Sequence, residues 1–269
     1  MVILCRMSAP LPKGFPAGNI VSMTTQSQMP AFLLTRPLAY SQRYAATLQH
    51  CFGPGLSITI SPLIAPRLLQ TPFPTGPWDW LILTSETGVA AYAQHPARPS
   101  DLPKRAFCVG DRTAKAAQQA GLETISADAD AVALIALIQK HSPDGQLLHI
   151  CGAHRRGDVA GNLTNSGIPT KAFVLYEQEQ RPLSVQAANL LSGKRPVLAP
   201  LFSPRTAAIF AGALADTSQK APLICATLSD AVTDALAQHK DITLCPAAKP
   251  TAAALTDAIK KYLAARQAP

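Results

Sequence analysis

"LILTSETGVAAY" at residues 81–92 and "LAPLFSPRTAAIF" at residues 198–210 spell one phrase twice. Each opens on an apolar run, turns through a Ser set among small and polar residues, and continues into an alanine-rich segment. The apolar run reads as a buried strand and the alanine-rich segment as a helix. Ser85 and Ser203 stand 118 positions apart. The next units keep that register. Laying "VGDRTAKAAQQAGLETI" on "TLSDAVTDALAQHKDIT" puts Thr113 against Ala231, again 118 apart. The closing helices, 131–140 and 251–261, match after a slip of about two or three residues. A register held through successive strand–turn–helix units marks a duplicated α/β domain.

Outward from that phrase, strand and helix alternate along the chain. Residues 31–35 read as a strand, and Pro37 suits the first turn of the helix after it. "LSITISPLIAP" reads as a second strand interrupted by Pro, and "LLQTPFPTGP" as a loop. Strands follow at 79–84, "RAFCVG", "LETIS", "QLLHIC" and the long "KAFVLYEQEQ". Helices follow at 86–94, "DRTAKAAQQAG" closed by Gly121, "ADAVALIALIQKH" and "RRGDVAGNLTNSG" ended by Gly167. The remainder repeats strand "PVLAPLF", helix "PRTAAIFAGAL", strand "PLICAT", helix "SDAVTDALAQH", strand "DITLC" and helix "TAAALTDAIKKYLAAR", after a helix at "LSVQAANLLSG". Such alternation predicts α/β architecture with parallel sheets, helices covering both faces.

The opening strand, helix and strand, within 30–66, are too little to fold alone. Their natural partner is the C-terminal copy, which lacks an opening βα unit. The chain is therefore expected to form a discontinuous first domain of residues 30–66 with 183–269 and an inserted second domain of residues 67–182. "SPLIAP" leads out of the first domain and "LYEQEQRP" leads back, making a paired hinge.

Composition bounds the partners. The chain has 269 residues, 48% hydrophobic and 15% charged, with a net charge of +8. That is a globular composition, and no apolar run approaches the ~18 residues of a membrane span. A basic surplus favours an anionic partner. No run of Lys and Arg with interleaved aromatics points to nucleic acid. The six Cys form no C-x-x-C pair and no disulfide ladder, which reads as a reducing cytoplasm. His149 and His154 straddle "ICGA" without a third ligand, so no metal site is expected. Residues 1–28, rich in Pro, Gly and Ser toward their end, are expected to be a disordered, dispensable extension.

Ligands of open α/β sheets bind at the carboxyl ends of the strands. Here those ends carry "TSETG", "GDRT", "FSPRT" and "TLSD". Each turn opens a helix, whose free N–H groups and dipole suit anions. Each Ser can equally be an ordinary helix cap. Two domains facing one another across such ends would hold several carboxylates in one cleft.

"FLLTRP", "LILTSETGV", "CVGDRTAKAAQQAGL", "CGAHRRGDVAGNLTNSGIPTKAFVLYE" and "LFSPRTAAIF", in this order, resemble the uroporphyrinogen-III synthase family. The resemblance runs from about Pro30 to the C-terminus and includes a Tyr-Glu after the seventh predicted strand. It implies two similar HemD-like, flavodoxin-like lobes joined by a two-stranded hinge, with a cleft between them. It implies a cofactor-free monomer that closes linear hydroxymethylbilane to uroporphyrinogen III, losing water and inverting ring D through a spiro intermediate. The substrate's eight carboxylates suit a basic protein. Tyr176 matches the family's Tyr and would be the general acid. Thr84, Ser85, Thr113, Gly152, Ser203, Arg205 and Ser229 fall at positions matching the family's cleft turns, and Arg36, Arg155 and Arg156 would pair with substrate carboxylates. Two departures stand out: "TSETG" lacks the Pro that many members carry after the Ser, and "TLSDAV" matches the fourth turn loosely. The competing reading is a two-lobed module that binds or senses an anionic small molecule without chemistry.

Overall fold

The structure is a computed structural model and describes residues 29–155 and 157–266. The expectations placed on residues 1–28 and on Arg156 lie outside those residues. In chain order, β1 (Ala31–Leu34) leads into α1 (Leu38–Phe52), with Pro37 as the cap residue ahead of the first turn. Next come β2 (Ile58–Ile60), β3 (Ile64–Leu68), β4 (Trp78–Leu83), α2 (Glu86–Gln94), β5 (Arg105–Cys108) and α3 (Asp111–Gln119). They are followed by β6 (Glu123–Ser126), α4 (Ala131–His141), β7 (Gln146–Gly152), α5 (Val159–Asn165) and β8 (Thr170–Gln180). The last third holds α6 (Val185–Ser192), β9 (Val197–Leu201), α7 (Pro204–Ala215), β10 (Leu223–Thr227), α8 (Asp230–Asp234), β11 (Ile242–Pro246) and α9 (Ala252–Ala265).

These strands form two sheets. One has five parallel strands in the order β11-β10-β9-β1-β2. The other has six in the order β3-β8-β7-β4-β5-β6, parallel except for the edge strand β3. Every residue of β1, β9 and β10 is buried, because helices cover both faces. Side chains alternate between two cores per sheet, as a strand's period of two requires. Leu33 packs with Ala199 and Phe210 on one face, while Phe32 and Leu34 pack with Leu198 and Ile259 on the other. In the second sheet Leu81 and Leu83 face Phe173, and Trp80 and Ile82 face Leu134. Burying each such Leu stabilises by roughly 1.5–3 kcal/mol.

Prolines set boundaries. "LSITISPLIAP" is not one interrupted strand; it is split between the sheets, β2 in the first and β3 in the second. Pro62 has no N–H to continue the ladder. The crossing is stitched instead: Ser61 N–H donates to Leu34 O, Leu63 N–H to Thr35 O, Arg181 N–H to Leu63 O, and Ser184 N–H to Ser61 Oγ. Pro66 is tolerated because β3 is an edge strand. Pro200 sits inside the central β9, and the β1–β9 pairing stops before it, at Leu198.

Two helices are shorter than their patterns predict. Asp158 accepts from Gly161 N–H, so α5 starts at Val159 and not within "RRGD". Beyond Asp234 the chain closes tighter turns, with N–H bonds from Leu236 to Thr233 O and from Ala237 to Asp234 O. Gly121 and Gly167 take φ of +86° and +84° just past α3 and α5, a conformation that a side chain would strain.

Candidate functional site

The carboxyl ends of both sheets border two adjoining cavities. The larger, about 850 Å³, lies between the sheets. Arg36, Tyr40, Phe202, Ser203 and Arg205 line it from the five-stranded side, and His154, Arg155 and Gln178 from the other. The smaller, about 220 Å³, holds Thr84, Ser85, His149, Gly152 and Tyr176, and shares His154 and Arg155 with the first. Side-chain hydrogen bonds cross between the sheets: Arg43 forks onto Glu86 at 3.0 and 3.2 Å, and Arg205 donates to Gln178 at its side-chain and backbone oxygens.

Local structure explains how Tyr176 reaches this place. The β7–β8 register shifts between Cys151 and Gly152, so that Cys151 faces Val174 while Gly152 faces Tyr176. Leu175 is the extra residue of a bulge, a device that re-aims side chains. Leu175 and Tyr176, though consecutive, consequently join the same core. Gly152 makes room for the ring: a Cβ there would lie 2.7 Å from Cε2 and Cζ of Tyr176. The Tyr176 hydroxyl is 2.9 Å from Ser85 Oγ. Ser85 caps α2 and accepts the Gly88 N–H at 2.9 Å. Burial pushes the Tyr176 pKa up, more than the Ser85 hydrogen bond draws it down. The side chain is therefore a phenol, a proton donor, at neutral pH.

The larger cavity gathers positive charge. Arg36 lies over the Phe202 ring at 3.9 Å and the Tyr40 ring at 5.0 Å. Burial lowers its pKa most, and the charges of Arg43 and Arg112 add to that. Among the described residues Arg36, Arg155 and Arg205 form no ion pair with a carboxylate. Arg155 donates to Cys151 Sγ at 3.6 Å. Cations gathered without counter-charge suit an anionic ligand, which arginine can grip in a fork.

Thr84, Ser85, Gly152, Arg155 and Tyr176 thus share the smaller cavity, and Arg36, Arg155, Ser203 and Arg205 the larger. Ser203 caps α7 through the Thr206 N–H. Thr113 and Ser229 line neither. Thr113 is buried within the first turn of α3, whose cap is Gly110. Ser229 occupies the cap position of α8 without a side-chain bond. The Tyr-Glu pair lies inside β8, within the predicted strand "KAFVLYEQEQ". Sequence reasoning missed Tyr40, Phe202, Gln178 and the placement of His149. Phe202 was within reach, as it precedes the capping Ser in "LFSPRT"; the others needed the register. Among the described residues no group of three or more His, Cys, Asp or Glu is placed to hold a metal ion, and no helix is long and apolar enough to cross a membrane.

Residues 54–257 match the family model described as uroporphyrinogen-III synthase HemD. No curated protein matches the chain. Among solved structures, uroporphyrinogen-III synthetase from Helicobacter pylori is similar with a TM-score of 0.57 at 18% identity, over 87% of this chain and 100% of that one. A mutant uroporphyrinogen III synthase of Thermus thermophilus aligns over 88% of this chain and 99% of its own at 13% identity, with a TM-score of 0.46. The first likeness carries the two-sheet α/β fold.

Proposed function

The chain belongs to the uroporphyrinogen-III synthase HemD family of tetrapyrrole biosynthesis, and we propose that it works as a cyclising lyase on hydroxymethylbilane with Tyr176 as the proton donor. The observation that carries this is the Tyr176 hydroxyl, 2.9 Å from Ser85 Oγ, beside a cleft whose arginines form no ion pair among the described residues. Ser85 Oγ accepts from Gly88 N–H, so its own proton can serve the Tyr176 oxygen. The phenol proton then passes to the substrate's hydroxymethyl oxygen, the C–O bond breaks and water leaves. The Ser85 hydroxyl stabilises the phenolate that forms. The cation is attacked by ring D at its substituted carbon, the spiro intermediate rearranges, and the macrocycle sheds a proton as it closes. That proton balances the one Tyr176 gave, so the net change is loss of one water.

Arg36, Arg155, Arg156 and Arg205 would hold carboxylates, and Thr84, Ser85 and Ser203 would donate hydrogen bonds, with Gly152 giving the close approach. Phe202 and Tyr40 offer apolar faces to pyrrole rings. We assign residues 30–66 with 183–269 to one domain and 67–182 to the other, hinged where β3 meets β8, and infer a cytoplasmic monomer. The strand membership of the two sheets supports that division except at its first boundary, because β3 (Ile64–Leu68) pairs in the six-stranded sheet and so draws residues 64–66 to the second domain. The test is incubation with freshly made hydroxymethylbilane, followed by isomer analysis. Enzyme-dependent type III product is expected. Type I product alone, at the unenzymic rate, would leave a binding module.

A further inference from the structure

The reaction proposed above uses Tyr176 and Ser85 and leaves His149 without a task. His149 lies on β7, in register with Ile82 of β4 and Ala172 of β8. It is 2% exposed, yet it borders the smaller cavity beside Thr84, Ser85 and Tyr176. A polar ring so placed needs hydrogen-bond partners. Its Nε2 is 3.2 Å from Thr84 Oγ1, while its Nδ1 is buried with no partner among the described residues.

Those two facts fix a direction. Burial, then the Arg155 charge, push the His149 pKa down to about 4, against a smaller opposing pull from Asp158. The neutral ring carries one N–H and one lone pair. Orphaned buried N–H groups are rarer than under-satisfied acceptors. The proton therefore belongs on Nε2, where Thr84 Oγ1 accepts it, and the lone pair is left on Nδ1. An oxygen that accepts this bond still has its own proton to place. Thr84 makes no other side-chain hydrogen bond among the described residues, and the space it borders is the cavity. None of the cavity's described lining residues is acidic, and Arg155 is one of them.

We infer that His149 is a positioning residue: by donating to Thr84 Oγ1 it turns the Thr84 hydroxyl into a donor aimed at the smaller cavity, where a substrate carboxylate oxygen accepts it. This rests on the proposed reading of the cleft. His149 itself touches no substrate; it sets the sense of the hydrogen bond that Thr84 makes.

The test compares the wild type with Thr84→Val, His149→Phe, His149→Gln and the double variant Thr84→Val/His149→Phe, each checked for folding. Losing one hydrogen bond to a charged group should raise KM for hydroxymethylbilane roughly tenfold in Thr84→Val and in His149→Phe, with kcat changed by less than about twofold. His149→Gln should recover most of the affinity, because its amide N–H can stand near the lost Nε2–H. The double variant should be no worse than Thr84→Val. A merely structural imidazole would lower the melting temperature and leave this KM pattern unmoved. Wild-type KM in folded His149→Phe, no rescue by Gln, or KM effects that multiply in the double variant would each overturn the inference. Nitrogen NMR of the wild-type imidazole gives a readout independent of turnover: the Nε2–H form is expected, and an Nδ1–H form would refute the assigned direction. If the wild type makes no type III product, the functional reading fails, while the NMR result still decides whether His149 Nε2 donates to Thr84 Oγ1 or accepts from it.

Discussion

Replacing Gly152 with Ala perturbs the proposed acid without touching its chemistry. The added methyl would sit 2.7 Å from Cε2 and Cζ of Tyr176 and 3.1 Å from its hydroxyl oxygen. Carbon atoms rest about 3.5–4.0 Å apart, so the ring or the strand must yield by roughly 1 Å. The ring has little free space, since Gly88 stands on its other side and the bulge holds its backbone. Its 2.9 Å bond to Ser85 is the weakest restraint and should give way first. A misplacement of that size costs about 10²-fold in rate. Overpacking costs about 1–3 kcal/mol, which lowers Tm by about 2–10 °C in a chain of this size. The assay pairs kcat and isomer ratio with a thermal melt. A folded Gly152→Ala protein with wild-type kcat and isomer ratio would show that the position of the Tyr176 ring is not what the reaction depends on.

Tyr176→Phe keeps the ring and removes the donor, so kcat should fall by roughly 10²–10⁴-fold with KM little changed; a raised KM at unchanged kcat would make the hydroxyl a binding group instead. Because Arg36, Arg155 and Arg205 stand in a partly open cleft, KM for the polycarboxylate substrate should rise from low to high ionic strength, and a flat salt profile would argue against an anionic ligand there. His149 has its pKa lowered from 6.5 to about 4, so the unfolded chain binds the extra proton first as pH falls. Stability should be complete above about pH 6.5 and drop by about 3 kcal/mol as pH falls towards 4. Urea midpoints across that window should show a steeper fall in the wild type than in His149→Gln, and equal slopes would mean that the ring is not held neutral.

The parts of this molecule that were legible in sequence are those whose cause is local or periodic. Fully buried parallel strands read as unbroken apolar runs, as in "AFLL", "PVLAPL" and "PLICAT", and the spacing between Ser85 and Ser203 pointed to two parallel-dominated sheets. Cap chemistry was legible too: Ser85 and Ser203 do accept the N–H groups of their helices. What failed depended on register. A period of two puts Phe173 and Leu175 on one face of β8 and Tyr176 on the opposite face, away from Leu175. The bulge opposite Gly152 cancels that alternation, and no residue within "VLYE" announces it. His149 was visible as a His in an apolar run, but its bond to Thr84 joins β7 to β4, strands that only the sheet order makes neighbours.

The bulge and Gly152 are a single device written in two strands. The bulge brings Tyr176 onto the face where Ser85 lies, and the missing side chain at Gly152 lets the ring occupy it. Either feature alone would fail: without the bulge the phenol points to the other core, and with a Cβ at residue 152 the ring collides. The same strand end also places Cys151 under Arg155 and His149 beside Thr84. The carboxyl end of β7 therefore does more to arrange this cleft than the duplicated serine turns, from which Thr113 and Ser229 stand apart. The proposed chemistry is concentrated where one sheet departs from regular pairing.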